Sequence, residues 1–458
     1  MKIGRIALAF ALLSSIACNF ATQLLSGPAT PTPTPTSTST PTLLTPAYIP
    51  TDCENTSIAT QPASTLLAQP TSFLLGNPNV PADLQKQIFE DVVETVNKVY
   101  VYPDFNGKDW DGIVTNYRSK LDAGLSTEAF YENMEAMITE LGDDHSRFES
   151  PVEVADDNAE LAGTNEFVGI GTYVLPQPKK NQAVIISIFP NSPAEHAGLN
   201  SHDSILAADG YPLLEGDNIY LSRLRGPECS AVVLTVRSPG EGPRQVMLVR
   251  ERITSPLLIG ARLVATTDGS RIGYIFLPSF FDETIPQQVK DALNGFGELD
   301  GLIIDNRLNG GGSSEVLLPI LSYFASGTLG DFTSRSSSRP LTITPHPIQN
   351  SQNVPMVVLV GEDTVSFGEI FSGVLQDSGR AKIVGQTTLG NVETLHGYKQ
   401  KDGSMLWIAE ETFVPAHSHA NWEAIGIIPD VEAYADWDTF TFETDPSIAA
   451  ALTLLGHK

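Results

Sequence analysis

Residues 355–380 read PMVVLVGEDTVSFGEIFSGVLQDSGR. Met356 to Val360 is a short apolar run closed by a glycine, the pattern of a buried strand, and the apolar residues after Ser366 recur at helical spacing. A strand that turns directly into a helix is the repeating unit of an α/β core with a central sheet. The same alternation extends on both sides. Strands are predicted over Ile272–Phe276, Gly301–Ile304 and Lys382–Val384, with helices over Ile285–Phe296, Ser314–Ala325 and Ser366–Ser378. A serine at such a turn exposes its hydroxyl beside the unpaired N–H groups of a helix start, which suits a nucleophile. An ordinary N-cap occupies the same place, so the turn alone leaves both readings open.

A second loop narrows the choice. The run Asp305-Asn306-Arg307-Leu308-Asn309-Gly310-Gly311-Gly312 follows the predicted strand at Gly301. Its glycines let the backbone approach another group closely and expose N–H donors, as an oxyanion hole requires. The Gly311 and Phe367 N–H groups are the donors expected there. Both loops follow strands of one sheet, where sites of α/β proteins collect.

The remaining chain bounds the function. Twenty-seven basic and fifty-four acidic residues give a formal charge of −27. Such a surface repels phosphate backbones, so nucleic acid is not an expected partner. Three cysteines, Cys18, Cys53 and Cys229, permit at most one bridge. Residues 1–18 combine Lys2 and Arg5, an apolar run from Ile6 to Leu13 and small residues before Cys18. This is an export signal, too short to span a bilayer. It resembles a bacterial lipoprotein signal with Cys18 as the lipidated residue, although Ser15 stands where such signals usually carry an aliphatic residue. Residues 19–80, rich in Pro, Thr and Ser around 31–35, are expected to form a stalk and linker. The protein is then extracytoplasmic, in the bacterial cell envelope and held to the membrane by a lipid anchor only.

Between stalk and core the periodicity changes twice. Leu84, Ile88, Val92, Val93 and Val96, and later Phe130, Met134, Met137 and Ile138, repeat every three to four residues, predicting a helical cap over 81–165. Residues 166–253 carry short β-rich runs (183–189, 231–236, 245–249) separated by turn residues, with a short helix at 192–197.

Taken together, these segments resemble the tail-specific (C-terminal-processing) serine peptidases in collinear order from about Pro81 to Leu455. Asp305–Gly312 is similar to the family's D-x-R-x-N-x-G-G loop and Thr364–Ile370 to its S-x-S-x-S-E-I nucleophile turn. Gln376–Ala381 and Gly426-Ile427-Ile428-Pro429-Asp430-Val431 resemble the family's later motifs, and Leu141–Pro151 its cap-to-middle segment. The resemblance implies an α+β, α/β multidomain fold: helical N-terminal cap, inserted PDZ domain at 166–253, and an α/β peptidase core of the ClpP/crotonase-like type at 254–458. It further implies that Val168, Gly169, Ile170 and Gly171 receive a substrate's C-terminal carboxylate. Partners are then proteins or peptides bound through their C-termini.

One departure matters. Asn391 stands where most members carry a basic lysine, and an amide cannot accept a proton from serine at neutral pH. A branch resembling the tricorn-type peptidases pairs its serine with a histidine from the segment here occupied by His145, and with a glutamate, for which Glu393 is the match. That gives Ser366 as nucleophile, His145 as base and Glu393 as orienting carboxylate. Alternatively His145 only packs or caps between domains, and the protein is an inactive homologue that binds C-termini at the cell surface. His396 is a second choice of base. His417 and His419 lack further ligands at metal-binding spacing, so neither a metal nor any other cofactor is expected.

Overall fold

The computed structural model describes residues 44–54, 77–143, 145–155, 167–216, 218–254 and 258–457. The expected export signal, Cys18 and most of the stalk lie outside them. Helices α1 (Ala82–Val99), α2 (Trp110–Asp122) and α3 (Thr127–Thr139) come first. In α1 the buried face is Gln85, Ile88, Phe89, Val92, Val93 and Val96; of the residues that the spacing names, only Leu84 is half-buried. Asp109 caps α2 by accepting from Gly112 N, and Ser126 caps α3 by accepting from Ala129 N. The spacing argument named no helix at α2, although its buried Trp110, Val114, Tyr117 and Leu121 follow the same rule.

Strand β1 (Arg147–Glu149) leads to a β-rich middle region. There β2 (Phe167–Gly169), β3 (Thr172–Gln177), β4 (Gln182–Ile188), the short helix α4 (Pro193–His196), β5 (Ser204–Ala208), β6 (Ala231–Arg237), β7 (Arg244–Val249) and β8 (Glu251–Ile253) follow in turn. An antiparallel sheet runs β7-β6-β5-β4-β3, and β2 pairs separately with β8. One edge of β3 carries no neighbour in that sheet. Cys53 is bonded to Cys229, 176 residues away, which ties residues 44–54 to this region. Tyr48 stacks on His196 at 3.9 Å.

The largest unit holds β9 (Gly260–Val264), β10 (Ile272–Phe276), α5 (Ile285–Phe296), β11 (Gly301–Asp305), α6 (Ser314–Phe324), β12 (Gly327–Thr333), β13 (Ser338–Ile343), β14 (Met356–Val360), α7 (Phe367–Asp377), β15 (Lys382–Gly385), β16 (Thr394–Lys399), β17 (Met405–Pro415), α8 (Trp422–Ile425), β18 (Val431–Glu432) and α9 (Pro446–Leu454). Its main sheet has the order β9-β10-β11-β14-β15-β18 and is parallel except for β9. All five residues of β10, β11 and β14 are buried, as for strands covered on both faces. Leu302, Ile304, Val358 and Val360 face α5 to α7, while Ile303, Val357 and Leu359 face Ile448 and Ala451 of α9. Each such side chain contributes about 1.5–3 kcal/mol by leaving water.

A buried ion pair ties this sheet to α9. Arg307 donates to both oxygens of Asp305 (2.9 and 2.6 Å) and to Asp445 Oδ2 (2.7 Å), and Tyr274 OH donates to Asp305 (2.7 Å). The Arg307 charge holds the Asp305 carboxyl below its usual range against the opposing effect of burial.

A second sheet, for which the sequence reading named no strands, joins the cap to the core. Its order is β1-β17-β12-β13, with β16 also pairing with β17. Leu406, Ile408 and Ala409 of β17 fill the core beneath α1 to α3, so the cap has no separate hydrophobic interior.

Candidate active site

Three described helices start on serines with cap geometry. Ser126, Ser192 and Ser313 have φ of −66°, −82° and −93° and each accepts a backbone N–H. Ser366 differs: φ is +55°, ψ is −126°, and its side chain makes no cap hydrogen bond. The N-cap alternative therefore fails, because a capping serine takes extended backbone and bonds to N2 or N3. A non-glycine residue held at positive φ costs about 1–3 kcal/mol and persists only where its surroundings fix it.

Those surroundings can be named. Val365 N donates to the Asn309 carbonyl (3.0 Å) and Ser366 N to the Asn391 carbonyl (2.9 Å), so the turn is pinned from both sides. Asn306 Nδ2 donates to Gly368 O (2.8 Å) and Ser372 Oγ (2.9 Å), fixing the first turn of α7. A Cβ on Gly368 would lie 2.3 Å from the Asn309 oxygen, so only glycine allows this approach. Gly311, at φ +93°, lies so close that a Cβ there would sit 2.8 Å from Ser366 Cβ.

The expected pair of oxyanion donors is only half available. Phe367 N has no partner among the described residues, but Gly311 N donates to Asn309 Oδ1 at 2.9 Å. The Asn309 side chain closes a local turn onto the backbone two residues on, a habit of asparagine. Its Nδ2 is buried without a partner among the described residues, as is Asn391 Oδ1.

Glu369, which the sequence reading quoted within a motif but gave no role, orders the loop beside the serine. Fully buried, it accepts from Thr388 Oγ1, Gly390 N (2.8 Å) and Asn391 N (2.7 Å). Burial pushes its carboxyl up and these donors pull it back. Thr388 Oγ1 also accepts from Ile427 N (2.7 Å).

His145 lies just before β1, and Glu393 just before β16. Arg147 pairs with Trp407 and Leu395 with Ala409, so both segments meet the same stretch of β17. Asp143 Oδ1 accepts from His145 N (3.0 Å) and Ser146 N (2.7 Å), while Ser146 Oγ accepts from Ala409 N (3.0 Å). His145 Nε2 stands 3.5 Å from Glu393 Oε2, and Tyr102 OH donates to Glu393 Oε1 (2.5 Å). Glu423 joins this pair, its Oε2 accepting from Val392 N (2.8 Å). Burial, then the charges of Glu423 and Asp143, push the Glu393 carboxyl up to about 9, with Tyr102 opposing. Burial raises Glu423 as well.

The structure thus collects the expected residues in two groups. Ser366, Phe367 and Gly311 form one, and His145 and Glu393 the other, linked by Asn391, whose carbonyl holds Ser366 two residues before Glu393. Adjacent extended residues rise about 3.3 Å, so the two groups are neighbours along that loop. Ser366 Oγ makes no hydrogen bond among the described residues. Glu423 and Tyr102 were missed. Glu423 sits three residues before the recognised Gly426–Val431 motif, which was the available signal. His396 pairs with Glu411 (3.3 Å) on a half-exposed face, outside either group. In the middle region Val168 and Gly169 belong to the β2–β8 ladder, whereas Ile170 N and Gly171 N have no partner among the described residues.

Two outcomes test this geometry. Ser366→Gly removes the side chain that strains the turn, so it should exceed Ser366→Ala in unfolding free energy by about 1 kcal/mol once glycine's entropy is deducted. Equal urea midpoints for the two variants would disprove the strain. Glu393 binds its proton more tightly folded than unfolded, so its contribution to stability declines as pH rises from its ordinary range toward 9. Glu393→Gln should therefore gain stability relative to wild type between pH 5 and pH 9 in denaturant titrations. A difference that does not vary with pH would contradict the raised carboxyl.

Comparison with known proteins places the chain. Residues 271–433 match the model of peptidase family S41, and residues 81–139 match that of the tricorn protease C1 domain. A carboxyl-terminal-processing protease of Synechocystis sp. is 30% identical, over 79% of this chain and 84% of its own length. The chloroplastic carboxyl-terminal-processing peptidase 3 of Arabidopsis thaliana is 27% identical, over 79% and 71%. Among solved structures, the photosystem II D1 C-terminal processing protease superposes with a TM-score of 0.54 at 22% identity, over 81% of this chain and 97% of that one. A putative S41 protease of Bacteroides fragilis gives 0.55 at 16% identity, over 80% and 96%. On the sequence match that spans most of both chains, with the same fold beneath it, the protein belongs to the carboxyl-terminal-processing protease family, S41.

Proposed function

We propose that this chain is an extracytoplasmic serine endopeptidase that cuts proteins presented by their C-termini. The observation that carries the reading is Ser366: a strained, uncapped serine at the start of α7, against a glycine loop, at the carboxyl end of a parallel sheet. In the proposed reaction Ser366 Oγ attacks the scissile carbonyl carbon and its proton passes to His145. The C–N bond then breaks, the imidazolium protonates the leaving amine, and water hydrolyses the acyl ester by the same route. Phe367 N would stabilise the oxyanion, joined by Gly311 N once Asn309 Oδ1 releases it. Glu393 would orient His145, with Glu423 beside it.

The middle region supports capture of C-termini by a PDZ-type mode. β3 offers a free edge for an added strand, and Ile170 N and Gly171 N point to a carboxylate nest beside it. The Cys53–Cys229 disulfide supports an oxidising, extracytoplasmic setting. Lipidation at Cys18 remains part of the proposal. One observation favours an inactive binding protein instead: neither a Ser366 Oγ hydrogen bond nor a free Gly311 N–H is present.

Cleavage of unstructured peptides decides between them. Wild type should cut, with Ser366→Ala and His145→Ala each reduced by about 1,000-fold or more. Activity surviving Ser366→Ala removes the nucleophile, while activity lost only with Ser366 removes His145. Amidating the peptide's C-terminus should weaken its binding about tenfold; equal binding would argue against the carboxylate nest.

A further inference from the structure

The cluster around His145 has the composition and spacing of a metal site. His145 Nε2, Glu393 Oε2 and a Glu423 oxygen all lie within 4.8 Å of one another. Tetrahedral Zn²⁺ with ligands at about 2.0–2.2 Å spaces them roughly 3.3–3.6 Å apart. The His145–Glu393 separation of 3.5 Å already meets this, and Glu423 lies within reach of both.

A second observation points the same way. The Glu393 side chain is 1% exposed, and while Oε1 takes a hydrogen bond from Tyr102, Oε2 has no N–H or other O–H donor among the described residues and is left to the proton that the carboxyl shares with Glu423. Buried carboxylate oxygens normally have several donors, so two carboxyls that share one proton beside an imidazole form a set that a cation can enter by releasing that proton. The outer contacts of a ligand set are also present, since Tyr102 OH holds Glu393 and Val392 N holds Glu423. One imidazole with two carboxylates favours Zn²⁺ over Mg²⁺ or Ca²⁺, which prefer all-oxygen sites.

We propose that His145, Glu393 and Glu423 bind one Zn²⁺ ion, which switches the enzyme off by taking His145 Nε2, the nitrogen that Glu393 would orient, so that the ring can no longer become the imidazolium that the reaction needs. This differs from the sequence-based expectation of no metal, which considered only His417 and His419. Inhibition rests on His145 being the base; binding does not.

The test uses chelator-stripped full-length protein with Zn²⁺ in calorimetry and Co²⁺ in absorption spectroscopy. One ion per chain is expected, with tetrahedral Co²⁺ bands. Affinity should fall about 100-fold or more in His145→Ala and in Glu423→Gln, and hold in Ser366→Ala, His396→Ala and the His417→Ala/His419→Ala double variant. Peptide cleavage should cease at the Zn²⁺ concentration that fills the site. Unchanged affinity in both folded variants, judged by circular dichroism, overturns the site. Zinc bound as expected without any cleavage by wild type would refute the peptidase reading and leave the site standing.

Discussion

The hydrogen bond from Ser366 N to the Asn391 carbonyl is the contact on which the site depends. Ser366 has a backbone conformation that its own side chain resists, so something outside the turn must hold it. The holding is shared. Asn309 takes Val365 N, Asn391 takes Ser366 N, and Glu369, one turn into α7, reaches back to the N–H groups of Gly390 and Asn391. The helix therefore fastens the loop that fastens the residue just before it. Strain and support lie within one closed circuit of bonds.

The two buried charge clusters show where that rigidity is relaxed. Around Arg307 the guanidinium faces Asp305 and Asp445, with Tyr274 filling a further acceptor. Charge and hydrogen-bonding capacity are matched there, and a cluster so matched serves to join a sheet to a helix. Around His145, Glu393 and Glu423 stand close enough to share a proton, with Asp143 nearby and no cation among the described residues to balance them. Proteins that tolerate such an imbalance commonly use it, because perturbed carboxyls and histidines do proton work. The contrast separates scaffold from site without reference to any motif.

The sequence revealed four of the six strands of the main sheet nearly residue for residue, because Ile272–Phe276, Gly301–Asp305 and Met356–Val360 are buried on both faces and read as uninterrupted apolar runs, whereas the edge strands β9 and β18 carry no such run. The second sheet was not legible. β17 is half-buried with alternating polar residues, and its partners, β1, β12 and β16, are scattered from residue 147 to residue 399. For the same reason the cap looked self-contained when its core is completed by Leu406, Ile408 and Ala409. In the site, Ser366 could be located but not distinguished from an N-cap, since φ is set by Asn309 and Asn391 and not by neighbouring residues. Engagement of Gly311 N by Asn309 Oδ1 is a side-chain choice that no spacing encodes.

Asn391 explains why the second sheet matters to function. In a dyad with lysine at that position, nucleophile and base would sit on neighbouring loops of one sheet. Here the backbone of Asn391 still supports the serine, but its amide cannot accept the proton. In the proposed reaction the base comes from elsewhere, and His145 is brought beside Glu393 by the docking of β1 on β17. Asp143, Ser146 and Ala409 N fix that docking through three hydrogen bonds. The separation between serine and histidine is then governed by how the two sheets seat against each other. The proposed reaction therefore requires that a peptide laid across both sheets draw them together and release Gly311 N from Asn309 Oδ1.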